Sequence, residues 1–233
     1  SDLSRSFYQD ACHGHAIVYA DEISNRKTRP YITYPQGNFA SPVFHGERPD
    51  PMPHYEMTGN PVSIAFSEQS PPVKMRSFKL YQGTKEIRDV KILDKDNDPN
   101  RLLTERQFAL FPLQPLEYDT DYRAVFEYRQ NGKDRTAEWT FSTQKPDYPY
   151  FIVKGGETLA IESGQKYFIH WQDFWCLKQC ERYNYRMNRD TQLDIIERQA
   201  GGIIIRVNGS KGSSIRLMPE GEDRRAITLY LWK

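Results

Sequence analysis

The sequence has 233 residues, of which 32 are basic, 31 are acidic and 13% are aromatic, and its formal net charge is +1. This length accommodates one large domain or two of ordinary size, and the aromatic content is sufficient for a sizeable core, which excludes disorder over most of the chain. The balanced charge gives no global reason to expect a nucleic-acid or anionic-membrane partner. No apolar run approaches the roughly 20 residues that a membrane-spanning helix needs, so no membrane span is expected.

The chain begins with a segment that does not look like a core. Residues 1–30 are polar and mixed, and we interpret them as a lead-in or as the tail of a preceding domain. The first predicted strand is Tyr31–Tyr34, which alternates in character and stops before Pro35, as an edge strand does. The next segment is too rich in proline for a helix and predicts an extended, irregular connection. Its prolines are Pro42, Pro49, Pro51 and Pro53.

Short β-type segments then recur between residues 61 and 143. Val62–Phe66 alternates apolar with small or polar residues, and Gln82–Lys85 is typical of a tight turn between two strands. Asn131-Gly132 is the strongest short hairpin signal in the chain. Brief strands punctuated by Gly, Pro, Asn and Asp predict a β-sandwich or a barrel.

A domain boundary is predicted at residues 144–149, which are polar, carry two prolines and follow a completed hairpin. Residues 31–145 would form the first domain and residues 146–233 the second. The middle of the second domain is ambiguous, because residues 176–180 and 193–198 each fit a short helix. The predicted fold class is all-β, with two tandem small β-sandwiches and room for a short helix in the second.

Several segments of the first predicted domain resemble a known kind of region. They are Tyr34-Pro35, Gly46–Pro53, Gly59–Ile64, Phe108–Leu113, Leu116–Tyr122 and Trp139–Thr143. On these segments, residues 31–145 resemble the immunoglobulin-like region that follows the CAP domain in some bacterial secreted proteins. CAP is the superfamily of cysteine-rich secretory and SCP-like proteins. The last segment is the least specific, since many bacterial immunoglobulin-like domains share it.

The resemblance implies an immunoglobulin-like sandwich, an extracytoplasmic location (periplasm, cell surface or medium) and a CAP domain upstream in the same polypeptide. The CAP core, with its His/Glu cavity, is not recognisable in this sequence, so no CAP activity carries over and an enzyme is not expected. The expected function is that of a non-catalytic structural or interaction module, with a protein or a glycan as its unidentified partner.

Aromatic residues near the end of the first predicted domain have expected structural roles. Tyr118 or Tyr122 should pack at a corner of the sandwich, with its hydroxyl on a nearby backbone group. Trp139 and Phe141 are two residues apart, so both should point to one face and fill the space between the sheets.

An acidic stretch imitates a calcium site. Acidic side chains recur at every second residue from Asp94 to Asp98, and Glu105 takes the twelfth position from Asp94, which is the ligand spacing of an EF-hand loop. The sixth position holds Pro99, where such a loop needs a glycine for its sharp turn. The preceding Val90–Leu93 favours a strand over a helix. A surface turn is therefore predicted, and no metal site.

The cysteines and glycine-rich turns give no clear site, and no cofactor is expected. Cys12-His13-Gly14-His15 offers zinc-type ligands, but a polar lead-in with a stray cysteine is favoured, since zinc needs a second cluster. Cys176 and Cys180 either form a disulfide in an oxidising compartment or remain unpaired in a turn. Gly209–Ser214 lies between two strand-like runs, so a long hairpin loop is favoured over a phosphate cradle.

One aromatic group has two interpretations. Its members are Trp171, Asp173, Trp175, Tyr183 and Tyr185. Aromatic rings beside polar groups are what a sugar- or peptide-binding face uses. The alternative, which we favour, is a buried aromatic core in a small domain. A third hypothesis, an enzyme with a dispersed site, requires a pocket that joins His170 to Asp173 and a nucleophile.

Overall fold

The computed structural model describes residues 30–175, 182–187 and 190–233. The chain divides into two compact units, and the boundary between them falls between Lys145 and Pro146. Each unit is described by itself below.

Four predictions fall on residues that the structure does not describe. The lead-in is outside the described residues up to residue 29. The zinc-type ligands of residues 12–15 are also outside, and so are both cysteines of the predicted bridge, Cys176 and Cys180. The short helix that residues 176–180 fit is outside as well, and these four stay predictions from the sequence.

The first unit contains a four-stranded sheet, a five-stranded sheet and a separate two-stranded pair. Its strands are β1 (Tyr31–Tyr34), β2 (Gly37–Ala40), β3 (Val43–Phe44), β4 (Thr58–Gly59), β5 (Val62–Phe66), β6 (Lys74–Gln82), β7 (Lys85–Ile87), β8 (Val90–Leu93), β9 (Gln107–Pro112), β10 (Asp121–Gln130) and β11 (Lys133–Thr143). The two larger sheets have the orders β1-β5-β9-β8 and β2-β11-β10-β6-β7. These orders match the A-B-E-D and C-F-G sheets of immunoglobulin domains, with β7 added beside C and β2 beside G.

The hairpin turns of this unit follow from their residues. Asn131 and Gly132 join β10 to β11 with φ angles of 52° and 74°, which is the left-handed geometry of the tightest hairpin turns. Gly83, between β6 and β7, has a φ of 58°, a conformation that glycine adopts at little steric cost. Both turns predicted from the sequence are confirmed.

An aromatic core fills the space between the two larger sheets. Phe126 is fully buried, and its ring centroid lies 5.2 Å from that of Phe78 and 5.0 Å from that of Phe108. Phe141 is buried in the same core and Trp139 packs against it. The expectation that Trp139 and Phe141 share one face is therefore confirmed.

Strand β9 is apolar at consecutive positions because it is covered on both faces. Leu110 belongs to the core between the sheets. Phe111 points the other way and packs in a second cluster with Phe44 and Met52, which come from the proline-rich segment. That segment replaces solvent on the outer face of β9, so the strand does not alternate between buried and exposed residues.

Tyr122, the second residue of β10, occupies a corner of the sandwich. Its hydroxyl oxygen accepts a hydrogen bond from the backbone N–H of Glu117 at 2.9 Å. Burial raises the pKa of the Tyr122 hydroxyl to about 12. The turn before it holds Asp119 at a φ of 47°. Of the two tyrosines expected at this corner, Tyr122 makes the backbone bond that defines the motif.

The second unit consists of two four-stranded sheets. Its strands are β12 (Tyr150–Val153), β13 (Thr158–Ile161), β14 (Lys166–Trp171), β15 (Tyr183–Met187), β16 (Thr191–Gln199), β17 (Gly202–Gly209), β18 (Ser214–Pro219) and β19 (Ile227–Leu231). The orders are β12-β14-β17-β16 and β13-β19-β18-β15. They again match A-B-E-D and C-F-G, with β13 added beside G. The first strand departs from that pattern. The sheets of immunoglobulin domains are antiparallel, whereas β12 runs parallel to β14.

A second tyrosine corner stands at the start of β14. The hydroxyl oxygen of Tyr167 accepts a hydrogen bond from the backbone N–H of Glu162 at 3.0 Å. Gly164 has a φ of 80°, three residues before the tyrosine, as Asp119 stands three before Tyr122. The same local device therefore serves the β13–β14 corner of the second unit and the β9–β10 corner of the first.

Two sequence predictions for the second unit are wrong. Residues 193–198 are not a helix but lie within β16, where a bulge between Ile195 and Glu197 breaks the alternation that would have identified a strand. Gly209–Ser214 does not close a hairpin, because β17 and β18 belong to different sheets. In the described ranges, helical structure is confined to a single 3₁₀ turn at Asp223–Arg225.

Both units are thus β-sandwiches, and the predicted all-β fold class is confirmed. Across residues 30–175, 182–187 and 190–233, no helix has both the length and the apolar character that crossing a membrane requires.

Candidate functional site

Trp171 belongs to the core of the second unit. Its side chain is 0% exposed, and its indole N–H donates to the backbone carbonyl of Arg225 at 2.9 Å. Its ring lies 5.6 Å from that of Tyr183. A fully buried indole has no face to offer a ligand, so the core interpretation applies to Trp171 and its place in a predicted binding face is corrected.

Asp173 and Trp175 follow Trp171 on the turn after β14. Asp173 is exposed and has a φ of 56°. The half-buried ring of Trp175 lies 4.8 Å from the ring of His170, and a Cβ at Gly201 would come within 2.6 Å of that indole. His170 is 0% exposed, with Nδ1 at 2.8 Å from the carbonyl oxygen of Gly201. Trp175 and His170 therefore pack over the β16–β17 turn, which is a structural role.

Tyr183 and Tyr185 lie at an open groove between two edge strands. β15 is the edge strand of one sheet of the second unit and β16 is the edge strand of the other. The β15–β16 groove has a volume of about 580 Å³, and its lining includes Tyr183, Tyr185, Leu193, Ile195 and Arg198. Aromatic, apolar and charged side chains meet here, so we take this groove as the candidate site.

Alternation along β15 determines which of its side chains face the groove. Tyr183 is 9% exposed and belongs to the core. Tyr185 and Met187 follow at intervals of two and therefore point to the same side of the strand. They are 43% and 46% exposed. The core-facing side of β15 thus continues from a buried tyrosine into an accessible apolar surface.

Tyr183 is a neutral hydrogen-bonding group in the lining of the groove. Burial raises the pKa of its hydroxyl to about 12, and the nearby positive charge of Arg198 acts in the opposite direction. At neutral pH the hydroxyl keeps its proton and can both donate and accept.

The bulge in β16 brings an arginine to the groove. Ile195 pairs with Ile205, but after the bulge Arg198 pairs with Ile203. Ile203 and Ile205 both face the core, so Arg198 is on the inner side of its strand, where regular pairing would have placed Glu197. Bulges commonly re-aim side chains in this way. Here the bulge exchanges a carboxylate for a guanidinium in the lining of the groove.

Two arginines stand side by side on the outer face of the β15 sheet. Arg186 pairs directly with Arg216 on β18, and both are exposed. In the part of the chain that the structure describes, neither guanidinium forms an ion pair, since no carboxylate oxygen lies within 4.0 Å of its nitrogens. Like charges directly opposite each other destabilise an antiparallel pair. We call them the Arg186–Arg216 pair.

The lining of the groove itself carries charges of both signs. The lining contains Arg182 and Arg198 against Asp194 and Glu220. Asp194 is already paired with Arg206 at 3.3 Å. The positive charge without an ion-pair partner among the described residues near β15 therefore includes the Arg186–Arg216 pair on the outer face.

The acidic stretch of the first unit forms a turn whose carboxylates hold the backbone. Asp98 is 5% exposed and accepts hydrogen bonds from the backbone N–H groups of Leu102 at 2.7 Å and Leu103 at 3.0 Å. Asp94 accepts one from the N–H of Asp96 at 3.0 Å. Glu105 forms an ion pair with Arg106. Asp94 and Asp98 therefore act as caps for the backbone of an irregular loop.

Sequence reasoning selected Tyr183 and Tyr185 but missed the arginines around them. The alternation of polar and aromatic residues in residues 182–187 was the available signal for an edge strand with two different faces. The Arg186–Arg216 pair depends on the register of two strands thirty residues apart in the chain, and that register is not readable from spacing.

Comparisons with known proteins give no family. No family model matches the sequence, and no curated protein sequence matches it. Among solved structures, an I-band fragment of titin, I67–I69, is similar over 88% of this chain and 66% of its own, with 9% identity and a TM-score of 0.24. The S-layer protein SbsC, in its domains 4 and 5, is similar over 88% of this chain and 97% of its own, with 11% identity and a TM-score of 0.24.

A third similar structure is an endo-fucoidan hydrolase from glycoside hydrolase family 107. It is similar over 91% of this chain and 30% of its own length, with 9% identity and a TM-score of 0.25. At such low TM-scores the strand orders of the two units, and not these likenesses, establish the fold of this chain.

Proposed function

We propose that this chain is a non-catalytic structural and interaction module of a secreted or periplasmic bacterial protein of the CAP type. The observation that carries the proposal is the pair of consecutive sandwiches with immunoglobulin strand order. Sandwiches of this kind commonly serve as rigid modules that present edges and loops to partners. The likeness of residues 31–145 to the region that follows a CAP domain supports the CAP context and the extracytoplasmic location.

The use of the titratable and aromatic residues supports a non-catalytic role. His170 is buried under Trp175, and its Nδ1 lies 2.8 Å from a backbone carbonyl oxygen. Trp171 is buried in the core. Asp173 is exposed on a turn. In these settings His170 and Trp171 serve the packing of the second unit, which supports a structural use of these side chains.

The coding sequence upstream of Ser1 tests the CAP context. We expect it to encode a CAP core with its His/Glu cavity, preceded by a signal peptide. Fractionation of cells that express the full-length protein should then recover it outside the cytoplasm. An upstream region that encodes an unrelated domain, or a full-length protein that remains in the cytoplasm, would contradict the proposal.

A second candidate function is that of a peptide-binding module, and the β15–β16 groove favours it over a glycan-binding one. A glycan face needs exposed rings as stacking platforms, and Trp171 is withdrawn into the core. An extended peptide instead needs an unpaired strand edge, and β15 is the outermost strand of its sheet among the residues that the structure describes. Tyr185, 43% exposed, lies on the same strand.

A further inference from the structure

We propose that β15 binds an extended acidic peptide segment, which adds to the β13-β19-β18-β15 sheet as a fifth strand beside the β15–β16 groove. The proposal deepens the interaction function above and rests on it. It identifies the surface, the backbone groups and the charge of the partner.

The hydrogen-bond pattern of β15 shows which of its backbone groups face outward. The N–H of Glu220 donates to the carbonyl of Arg182 at 3.1 Å. The backbone N–H and C=O groups of Arg182 therefore point towards β18. In an antiparallel pair such residues alternate with residues whose groups point away. Tyr183 pairs with Pro219. Proline has no N–H to donate, which agrees with Tyr183 being a residue whose backbone groups point away from β18. The N–H and C=O groups of Tyr183, Tyr185 and Met187 therefore point away from β18, to the edge of β15 on which no other described strand pairs.

The two faces of an added strand would meet different surroundings. Its inward side chains would lie against Tyr185 and over Ile195 in the lining of the groove. Its outward side chains would lie next to Arg186, on the face that also carries Arg216. Since side chains alternate along a strand, the matching ligand alternates apolar residues, which enter the groove, with acidic residues, which reach the arginines.

Charge favours this occupant over a second copy of the chain. Antiparallel pairing of β15 with the β15 of another copy would bring two Arg186–Arg216 pairs onto one continuous sheet face, and like charges at that distance repel. A glutamate or aspartate beside Arg186 has the opposite effect, because an arginine fork binds a carboxylate through two hydrogen bonds.

The test uses a fluorescein-labelled octapeptide that alternates valine and glutamate. We expect saturable binding to the chain, by fluorescence anisotropy, that weakens as salt increases. A peptide with lysine in place of glutamate should bind at least tenfold more weakly. A glutamate peptide N-methylated on every second amide, along the edge that pairs with β15, should also bind at least tenfold more weakly. Methylation of the amides along the opposite edge should be tolerated, because successive N–H groups of a strand point to opposite edges.

Charge reversal on the protein provides a matched set. The double variant Arg186→Glu/Arg216→Glu should bind the valine–glutamate peptide at least tenfold more weakly than the unchanged chain does. It should bind the valine–lysine peptide more tightly. Arg135→Glu, at an exposed strand arginine of the first unit, should leave both affinities unchanged. Circular dichroism of each variant confirms that the β structure is retained.

Three results would overturn the proposal. They are an absence of saturable binding at millimolar peptide, equal affinity for the glutamate and lysine peptides, and a stable dimer of the free chain, in sedimentation, that Arg186→Glu/Arg216→Glu abolishes. A CAP core encoded upstream of Ser1 together with any of these results would leave the interaction module standing and remove only its assignment to β15. An upstream sequence without a CAP core would contradict the CAP context. The result of the peptide-binding experiment would stand independently of it.

Discussion

Arg186 on β15 stands directly opposite Arg216 on β18, and both side chains are exposed on the outer face of the sheet. Replacing Arg216 with threonine should stabilise the free chain by about 0.2–1 kcal/mol, since like charges directly opposite destabilise an antiparallel pair by such an amount. Urea unfolding measures the change. The gain should shrink at high salt, which screens exposed charges.

Arg135→Thr in the first unit is a matched control for this prediction. Arg135 is also exposed on a strand, but the residue opposite it is Tyr128 and not an arginine. It should change the urea midpoint less than Arg216→Thr does. A loss of stability in Arg216→Thr at low salt would show that Arg186 and Arg216 do not repel each other in the free protein.

The two tyrosine corners should each contribute to stability through one hydroxyl. Tyr122→Phe leaves the N–H of Glu117 without its acceptor, and Tyr167→Phe does the same to the N–H of Glu162. We expect each substitution to reduce the free energy of unfolding by about 0.5–1.5 kcal/mol, the net contribution of one intramolecular hydrogen bond, since both bonds are partly buried. Tyr230→Phe, at a tyrosine that is 40% exposed, is the control and should be close to neutral. Equal midpoints for all three variants would refute the corner role.

Alkaline pH should destabilise the fold through its buried tyrosines. Burial raises the pKa of Tyr118, Tyr122 and Tyr183 from 10.0 to about 12. The folded chain therefore holds these protons when the unfolded chain has begun to lose them, so their contribution is complete below pH 10 and is lost as the pH rises towards 12. Each such tyrosine should cost about 1.4 kcal/mol per pH unit in that interval.

Urea unfolding at pH 9, 10 and 11 measures this loss. Tyr183→Phe removes one of the titrating hydroxyls, so its stability should decline less steeply between pH 10 and 11 than that of the unchanged chain. A decline of the same steepness in Tyr183→Phe would contradict the raised pKa of this hydroxyl.

Two neighbouring glycines after β12 should differ sharply in their tolerance of alanine. A Cβ at Gly155 would lie 2.2 Å from the carbonyl oxygen of Arg224, whereas a Cβ at Gly156 would have no atom within 4 Å. Both have positive φ, of 133° and 89°, so both substitutions carry backbone strain. Gly155→Ala must also displace backbone, and we expect it to cost about 1–3 kcal/mol more than Gly156→Ala, the range of an overpacked site. Thermal unfolding of the two variants provides the comparison, and equal melting temperatures would contradict the close contact with Arg224.

Local signals in the sequence predicted much of the first unit because its turns and corners are defined by few residues. Asn131-Gly132 imposes its own turn geometry, and the spacing around Tyr122 indicates a corner without knowledge of the rest of the fold. The same spacing separates Glu162 from Tyr167, so the second corner could also have been predicted. It was missed because a glycine, Gly164, takes the place of the aspartate that marked the first turn.

The candidate site was less accessible to sequence reasoning because burial and register decide it. Trp171 and Tyr185 are both aromatic residues among polar neighbours, yet one is 0% exposed and the other 43% exposed. The bulge after Ile195 adds one residue to β16, and this both imitated a helical pattern and turned Arg198 towards the groove. Neither the exposure of a ring nor the position of a bulge is determined by the residues next to it.

Amide hydrogen exchange at Tyr185 and Arg186 tests most directly whether β15 is a free edge that accepts another strand. In the free chain the N–H of Arg186 should exchange slowly, because it faces β18, and the N–H of Tyr185 should exchange quickly. Saturation with the valine–glutamate peptide should slow exchange at Tyr185 at least tenfold and leave Arg186 nearly unchanged. Slow exchange at Tyr185 in the free chain, or no change there when the peptide is bound, would contradict the account.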